Sequence, residues 1–290
     1  MDYLSFTHPL NGFLIIGMAV ALGVYLTLRF KIGWRLWWIG AFTFLFSQVV
    51  HLPFNYLVLN PIIADLIEKI PEAWHLPLIA LALGLSSGLC EELARYAMYR
   101  WWAKDARTWS QGLLVGAGHG GVEAILIGFF SLYTYLQIEA LKDIDLITIF
   151  PAEQVTLVQQ QLAHYWSMPW YESLLGAVER AFAIPLHLAA SVLVLQIFTR
   201  QQFRWIWPAI GLHTLVNALA VYLANASNVY IAELAIGILA AFDIAIILIL
   251  RRWTPIRPNE PDIIHLPPRQ VTPIPEVPET SEKLEQTRYQ

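Results

Sequence analysis

Several ionisable side chains occur within long apolar stretches of this sequence, where charged groups are costly and usually serve a function. The residues with the potential for chemistry are Glu91, Glu92, Glu123, Glu179, His119, His187, His213 and Asn217. Imidazole and carboxylate groups are ligands for a divalent cation such as Zn²⁺. A carboxylate can also take a proton from water during hydrolysis. The residue types therefore predict a hydrolytic site built around an activated water.

Two arrangements of these residues would activate a water molecule. In the first, three imidazoles and a carboxylate hold a metal ion, which lowers the pKa of the water and polarises the scissile carbonyl. A glutamate accepts the proton and passes it to the leaving amine, while the Asn217 amide donates to the developing oxyanion. In the second arrangement, Glu and His activate the water without a metal. The sequence fits both arrangements.

The spacing within two of the stretches places pairs of these residues on one helix face. His119 and Glu123 are four residues apart, and so are His213 and Asn217. Residues at i and i+4 of a helix point the same way, so each pair can address one ligand. Glycines flank His119 and leave room for a neighbouring helix, a substrate backbone or water. Asn217 could equally bridge two helices by hydrogen bonding.

Glu91 and Glu92 must have different roles, because adjacent helical residues point about 100° apart. One is expected to face the site and the other to pair with Arg95, which lies about one helical turn beyond both. An unpaired arginine inside a bilayer would be costly. Glu179 directly precedes Arg180, which favours a structural ion pair over a role in the site.

The elements that carry these residues are membrane helices. Hydrophobic residues make up 57% of the chain and charged residues 14%, whereas an average soluble domain has about 25% charged residues. Runs such as Phe13–Leu28 and Ile231–Leu250 approach or reach the roughly 20 apolar residues that cross a bilayer. The sequence predicts an all-α, multi-pass integral membrane protein with the lipid bilayer as a partner. It has no basic patch that would indicate nucleic acid as a partner.

Hydropathy predicts a bundle of about seven transmembrane helices, at 11–30, 36–59, 76–102, 111–136, 173–199, 205–225 and 229–250. At a rise of about 1.5 Å per residue, four side chains lie roughly 12–16 Å from the same end of the bundle. These side chains are Glu91, His119, His187 and His213. Four residues on four differently directed helices therefore meet within about one helical turn of depth, which predicts that they converge on one site.

The distribution of Lys and Arg predicts the orientation of the bundle. Basic residues follow the first, third, fifth and seventh helices, as with Arg29, Arg107, Arg200 and Arg251. The first ten residues contain none, and the segments after the second and fourth helices are mainly acidic. The expected topology has the N-terminus outside and the C-terminus in the cytosol, with the site in the cytosolic half.

The expected domain organisation is one membrane domain at 1–252, with its core spans at 76–225, and a cytosolic tail at 253–290. The tail holds eight of the 17 prolines and is expected to be disordered. Between the fourth and fifth spans, apolar residues such as Val155 and Leu162 recur at helical spacing. That segment is either an interfacial helix that covers the site from outside or an ordinary surface loop.

In its ordered motifs, the chain resembles the CAAX-protease and related glutamic/metal intramembrane protease superfamily. The motifs are Glu91-Glu92-x-x-Arg95, His119-Gly-Gly-x-Glu123, Glu179-Arg180 with His187, and His213-x-x-x-Asn217. Over about residues 10–250 the chain is similar to the YhfC family of intramembrane metalloproteases. CAAX prenyl proteases have three residues before the Arg and a Phe four residues before the His, where this chain has two residues and Val115. The spacing is nearer to the PrsW-like branch, which cleaves membrane-anchored regulators.

The resemblance implies a role for each candidate residue. Glu91 would be the base that activates water, and Asn217 would support the oxyanion. The candidate catalytic residues are Glu91, Glu92 and Asn217. The candidate ligands for a divalent metal, most simply Zn²⁺, are His119, Glu123, His187 and His213. The residues expected to give structural support are Arg95 and Glu179.

The expected function is that of an intramembrane endopeptidase in a prokaryotic plasma membrane. It would cut a membrane-associated peptide or protein near the cytosolic leaflet. One alternative is a non-catalytic membrane scaffold of the same superfamily. Another is a proton- or ion-coupled transporter with a Glu/His relay, a class that often has internal repeats or broken helices, and the sequence contains neither. No feature of the sequence specifies an oligomeric state.

Overall fold

The computed structural model describes residues 3–253, which form helices joined by turns and short connections. The α-helices are α1 Tyr3–Phe30, α2 Arg35–Phe54, α3 Asn60–Ile67, α4 His75–Ala97, α5 Trp109–Ala140, α6 Ala152–Ser167, α7 Leu175–Thr199, α8 Ile206–Ala226 and α9 Val229–Trp253. Apart from Trp253, the predicted disordered tail lies outside the described residues. The division into a membrane domain and a tail therefore stays a prediction.

Seven helical segments are long and apolar enough to cross a bilayer, as predicted. They are Tyr3–Phe30, Arg35–Ile67, Glu72–Trp102, Trp109–Ala140, Glu172–Thr199, Phe203–Ala226 and Val229–Arg252. Many large apolar side chains, such as Phe13, Phe46 and Leu234, are exposed on the outside of the bundle. In a bilayer these side chains contact lipid. The protein is a multi-pass, all-α integral membrane protein, and the predicted orientation of its termini stays a prediction.

The first span begins earlier than hydropathy predicts, at Tyr3. The beginning of this helix carries polar side chains that bond to the start of the fifth span. Thr7 Oγ1 accepts a hydrogen bond from Ser173 Oγ at 2.7 Å. Asn11 Oδ1 accepts one from the Ala177 backbone N–H at 2.8 Å. Because these groups are satisfied within the protein, the helix extends beyond its apolar run.

Two spans contain a π-helical turn. Asn55–Leu59 joins α2 to α3, so that the second span runs to Ile67, beyond its predicted end at residue 59. Met98–Trp102 continues α4 to the end of the third span. Turns of this kind are rare and often occur close to functional sites. Both lie on helices that border the polar cluster described below.

Helices α5 and α7, which carry His119 and His187, lie in the interior of the bundle. The apolar windows of α5 and α7 are 61% and 67% buried, against 22% for α1 and 28% for α9, so α5 and α7 are central. Helix α5 packs against α1, α2 and α7, and α4 packs against α8. Helix α9 covers α7 and α8. The arrangement brings α4, α5, α7 and α8 together around one interior region.

Glycines allow α5 to approach its neighbours closely beside His119. A Cβ atom at Gly120 would lie 2.7 Å from the ring of His187 in α7. Gly118 lies directly against the backbone of Trp37 in α2. Small residues at helix crossings permit such close approach within membranes. The prediction that the glycines beside His119 make room for a neighbouring helix is confirmed.

The connection between α5 and α7 contains helix α6, as one of the two interpretations predicted. The ring of His8 stacks on Tyr165 with 3.8 Å between the ring centroids. Lys142 Nζ lies 4.2 Å from the centroid of the Trp166 ring. These contacts hold α6 against the beginning of α1 and the connection after α5. A role for α6 in covering the site stays a prediction.

Candidate active site

Glu91 is the meeting point of four helices. Its Oε2 lies 3.0 Å from His119 Nε2 and 3.7 Å from His213 Nε2. Its Oε1 accepts hydrogen bonds from Ser87 Oγ at 3.2 Å and from Gln48 Nε2 at 3.3 Å. The residue is 5% exposed. Side chains from α2, α4, α5 and α8 are thus assembled around one buried carboxylate.

The three histidines on the later helices surround this carboxylate. The ring centroids of His119 and His187 are 5.3 Å apart, and those of His187 and His213 are 5.6 Å apart. All three side chains are buried. The convergence predicted for Glu91 and the histidines from their depths along the helices is therefore confirmed.

A group of three side chains has the geometry to hold a metal ion. Glu91, His119 and His187 can each offer one ligand atom, and these atoms lie within 4.8 Å of one another. In tetrahedral coordination at about 2.0–2.1 Å, ligand atoms are about 3.3 Å apart, so small side-chain shifts complete the geometry. The Nδ1 atoms of His119 and His187 are buried and have no hydrogen-bond partner among the described residues. The donor set therefore fits a divalent metal.

Two of the four predicted metal ligands lie outside this group. Among the described residues, no such group includes Glu123 or His213. Each instead belongs to a chain of side-chain contacts that runs from an arginine through a glutamate to a histidine.

The first chain consists of Arg95, Glu92 and His213, and we call it the enclosed chain. Glu92 forms an ion pair with Arg95, and its Oε1 lies 2.7 Å from His213 Nδ1. All three residues are at most 1% exposed. The carboxylate favours the tautomer with hydrogen on Nδ1, which leaves the Nε2 lone pair towards Glu91. The prediction that one glutamate pairs with Arg95 while the other faces the site is confirmed.

The second chain consists of Arg180, Glu123 and His187, and we call it the open chain. Glu123 Oε2 lies 2.6 Å from His187 Nε2, and Glu123 Oε1 accepts a hydrogen bond from Arg180 Nη1 at 2.9 Å. Arg180 also pairs with Glu179, as the sequence predicted. Although Glu123 shares a helix face with His119, the charge of Arg180 holds it against α7. In the structure Glu123 therefore contacts His187 and Arg180, and its role as a metal ligand stays a prediction.

Asn217 bridges α8 and α4. Its Nδ2 donates to Ser87 Oγ at 2.8 Å, and the same hydroxyl lies 3.3 Å from His213 Nε2. This contact corresponds to the interpretation of Asn217 as a hydrogen-bonding bridge between helices. An amide nitrogen carries two hydrogens, so one more bond can be donated to a ligand.

A small cavity of about 40 Å³ borders the site. Its polar wall consists of Glu91, Glu123, Glu179, Arg180, His187, His213 and Asn217. A cavity needs only about 10–15 Å³ to hold a water molecule, so this one is large enough for a hydrolytic water. Glu179, predicted to give structural support, lies on the wall of this cavity as well as pairing with Arg180.

The carboxylates of the cluster differ in whether an arginine balances their negative charge. Glu92 pairs with Arg95 and Glu123 pairs with Arg180. Glu91 is hydrogen-bonded or close only to Gln, Ser and His side chains, with no Arg or Lys contact in the described part of the chain. An isolated buried carboxylate is costly unless a positive charge balances it. Glu91 is therefore the point in the cluster at which a cation is best accommodated.

Sequence reasoning missed a row of polar residues on the second span, the first of which contacts Glu91. Gln48 donates to Glu91, and its Oε1 lies 3.3 Å from His51 Nδ1. His51 Nε2 in turn lies 3.0 Å from Asn55 Nδ2. The sequence contained a signal for these residues, because positions 48, 51 and 55 have helical spacing and are polar within an apolar span. Ser87 and Arg180 were also outside the predicted set.

The fold and the site together define a class of protein, the membrane bundle of seven spanning helices with a buried Glu/His cluster. The chain matches the YhfC intramembrane metalloprotease family over residues 13–239, a range that includes every candidate site residue. It is 32% identical over 244 residues to a Bacillus subtilis (strain 168) protein named "Uncharacterized membrane protein YhfC", covering 81% of this chain and 92% of that protein. No solved structure matches. The chain belongs to the YhfC intramembrane metalloprotease family.

Proposed function

We propose that this protein is an intramembrane endopeptidase that hydrolyses peptide bonds of membrane-associated substrates. The observation that carries the proposal is the buried group of Glu91, His119 and His187, which has the geometry to hold a metal ion. The pair formed by His213 and Glu92 lies beside this group. The family's description as intramembrane metalloproteases supports the same activity.

Glu91, His119 and His187 would hold a divalent metal, and Zn²⁺ suits this set of nitrogen and oxygen donors. The chemistry such an ion supplies when bound is polarisation of the scissile carbonyl and a lower pKa for water. His187 is well prepared as a ligand, because its Nε2 lies 2.6 Å from Glu123 Oε2 while its Nδ1 has no hydrogen-bond partner among the described residues. Metal-binding histidines usually have their second ring nitrogen held by a carboxylate or carbonyl.

His213 is the proton acceptor in this proposal. Glu92 holds the hydrogen on Nδ1, so that Nε2 presents its lone pair at 3.7 Å from Glu91 Oε2. Nε2 takes a proton from the attacking water and returns it to the leaving amine. Glu92, balanced by Arg95, stabilises the imidazolium that forms between the two steps.

This assignment exchanges two roles that the resemblance implied. The resemblance gave Glu91 the role of base and His213 the role of ligand. The exchange rests on the contacts of each residue. Glu91 has no Arg or Lys partner in the described part of the chain and lies within the candidate ligand group, whereas His213 has a carboxylate directly behind it. A carboxylate behind an imidazole is the arrangement that supports general-base catalysis.

Asn217 and Ser87 position the reacting groups. Ser87 Oγ contacts Glu91 Oε1 at 3.2 Å and His213 Nε2 at 3.3 Å, so it fixes the separation of these two residues. Asn217 holds that hydroxyl and lines the cavity. Its second amide hydrogen can donate to the oxygen of the scissile carbonyl as negative charge develops there.

An apolar groove beside the site supports a membrane-associated substrate. The groove has a volume of about 550 Å³ and lies between α2 and α4. Exposed side chains such as Phe46, Leu93 and Trp101 line it, so it faces lipid. Ser47 and Cys90 also line it, and each directly precedes a residue of the site, Gln48 or Glu91. A substrate segment that enters from the bilayer would reach the site through this wall.

The test is cleavage of membrane peptides by the purified protein. We would reconstitute the wild type in liposomes with a set of labelled single-span peptides and identify products by mass spectrometry. The wild type is expected to release defined fragments, and Glu91→Gln and His119→Ala are expected to release none. His164→Ala, at an exposed position on α6, is the matched control and should cleave like the wild type.

The outcomes separate the proposal from its alternative. Fragments of the same size and yield from Glu91→Gln would show that the cluster is not the source of cleavage. Absence of fragments with the wild type, together with absence of bound metal after exposure to Zn²⁺, would instead favour the non-catalytic scaffold.

A further inference from the structure

A second cavity adjoins the cavity at the site. Its volume is about 200 Å³, and it shares Glu179, Ala220 and Ile236 with the smaller one. It extends past Ala224 to Val229, the first residue of α9. We call these two adjacent cavities together the α7–α9 passage; their lining residues extend from the candidate active site to the end of the bundle where α8 and α9 connect.

Helices α7, α8 and α9 each line this passage with one face. On α7, Glu179, Ala183 and His187 follow one another at four-residue intervals. At about 1.5 Å per residue, Glu179 lies roughly 12 Å from His187 along the helix axis. Alanines at positions 183, 220, 224 and 232 keep side chains short along the walls. The open space therefore follows from the sequence of all three helices.

Acidic side chains outnumber basic ones along the walls of the passage. The walls carry Glu91 and Glu123 at the inner end and Glu179 and Glu233 nearer the bundle end, against one arginine, Arg180, which pairs with Glu123 and Glu179. Glu233 Oε2 has no hydrogen-bond partner within residues 3–253. A cleft with one sign of charge and low-dielectric walls concentrates ions of the opposite sign. Rings or pairs of carboxylates select cations in the same way in channels.

We propose that the α7–α9 passage is an aqueous route that admits small cations to the site and excludes anions. The ligand class is a small cation, either a hydrated divalent metal ion or a protonated amine. The proposal does not depend on hydrolysis at the site, because it concerns access alone. On the predicted orientation, the passage opens to the outside, opposite the groove between α2 and α4.

The test is chemical labelling of a single cysteine in the passage. Cys90→Ala removes the only native thiol, and Ala220→Cys then places one where the two cavities join. Leu215→Cys is the matched control on the same helix, because Leu215 is 46% exposed on the lipid-facing side. Both proteins in liposomes would be treated with a cationic and an anionic methanethiosulfonate of similar size, added first to one side and then to the other.

The proposal predicts that Ala220→Cys reacts at least ~10-fold faster with the cationic reagent than with the anionic one. The double variant Glu179→Gln/Glu233→Gln should bring this ratio close to that of a free thiol in solution. Added Zn²⁺ should slow the labelling if the route takes metal ions, and methylammonium should slow it if the route takes amines. Leu215→Cys should stay unreactive towards both reagents.

Two results would overturn the proposal. One is that Ala220→Cys is as unreactive as Leu215→Cys, which would show that no water reaches this position. The other is a reagent ratio that does not change in the double glutamine variant, which would show that the carboxylates do not select charge. Ala224→Cys gives the same comparison one turn nearer the bundle end, in case the substitution at 220 disturbs folding.

Discussion

The enclosed chain and the open chain have the same order of groups but different surroundings. In the enclosed chain, the side chains of Arg95 and Glu92 are 0% exposed. In the open chain, Arg180 is 13% and Glu123 is 22% exposed. Each chain ends on a histidine beside Glu91. On the proposed function, the enclosed chain would fix a base, whereas the open chain would hold a ligand at the side where the proposed passage meets the site.

This difference follows from the neighbours of the two arginines. Arg95 lies on α4, which packs against α8 in the interior, and Glu92 lies within one turn of it. Arg180 lies on α7 at the wall of the cavity, where Glu179 shares its charge. A charge pair without access to water depends on each partner for its stability, whereas a pair beside a cavity can be hydrated.

The largest predicted effect is on stability, and it should differ between the two arginines. Arg95→Met leaves the Glu92 carboxylate buried without its cation, which should lower the free energy of unfolding by about 3–5 kcal/mol. Arg180→Met should lower it by less than half as much, because Glu123 borders the cavity. Unfolding in mixed micelles titrated with SDS would measure both values. Equal losses for the two variants would contradict the distinction between enclosed and open chains.

The next effect concerns metal affinity. Glu123→Gln removes the carboxylate behind His187, a candidate ligand, and should lower the affinity for Zn²⁺ about 10–100-fold. Glu92→Gln is the matched change in the enclosed chain and should leave metal affinity nearly unchanged while lowering the cleavage rate. Competition with a fluorescent zinc chelator would give the affinities. The reverse pattern would mean that His213, and not His187, is the ligand.

A smaller effect is expected where α5 approaches α7. Gly120→Ala places a Cβ 2.7 Å from the His187 ring, so the ring must shift, and cleavage should fall about tenfold. Gly121→Ala is the control, because its Cβ would meet only the Trp37 ring, at 3.3 Å. Cleavage by the Gly120→Ala variant at the wild-type rate would show that the position of His187 is not critical.

The smallest effect is expected at Gly211, which lies on α8 outside both chains. A Cβ there would have no neighbour within 4 Å from another helix in the described part of the chain. Gly211→Ala should raise the free energy of unfolding by about 0.5–1 kcal/mol, because alanine loses less backbone entropy in a helix. Cleavage should be unchanged. A loss of stability would show that the outer face of α8 contacts another molecule, such as a second copy of this protein.

The sequence was sufficient to predict the helices and the residues that meet. Apolar runs long enough to cross a bilayer indicated all seven spans. The common depth of Glu91, His119, His187 and His213 indicated their convergence, since helical rise converts sequence position into distance. The separate directions of Glu91 and Glu92 also followed from helix geometry. These predictions depend on the regular geometry of individual helices, which can be inferred from a single sequence.

The partners of each side chain could not be predicted in the same way. Helix periodicity places Glu123 on the face of His119, but it does not reveal that Arg180 of α7 lies opposite. Likewise, Gln48 reaches Glu91 only because of how α2 crosses α4 and α5. The start of the first span was misplaced because polar contacts between Thr7 and Ser173 replace lipid contacts there. Such contacts depend on helix rotation and crossing, which apolar patterns specify weakly.

The most direct test of the account is metal content measured beside cleavage in two single-histidine variants. His187→Ala should contain little Zn²⁺ by elemental analysis of the purified protein and should not cleave membrane peptides. His213→Ala should contain as much Zn²⁺ as the wild type and still fail to cleave, because it lacks only the proton acceptor. Loss of metal from His213→Ala with metal retained in His187→Ala would contradict the roles assigned to the two chains.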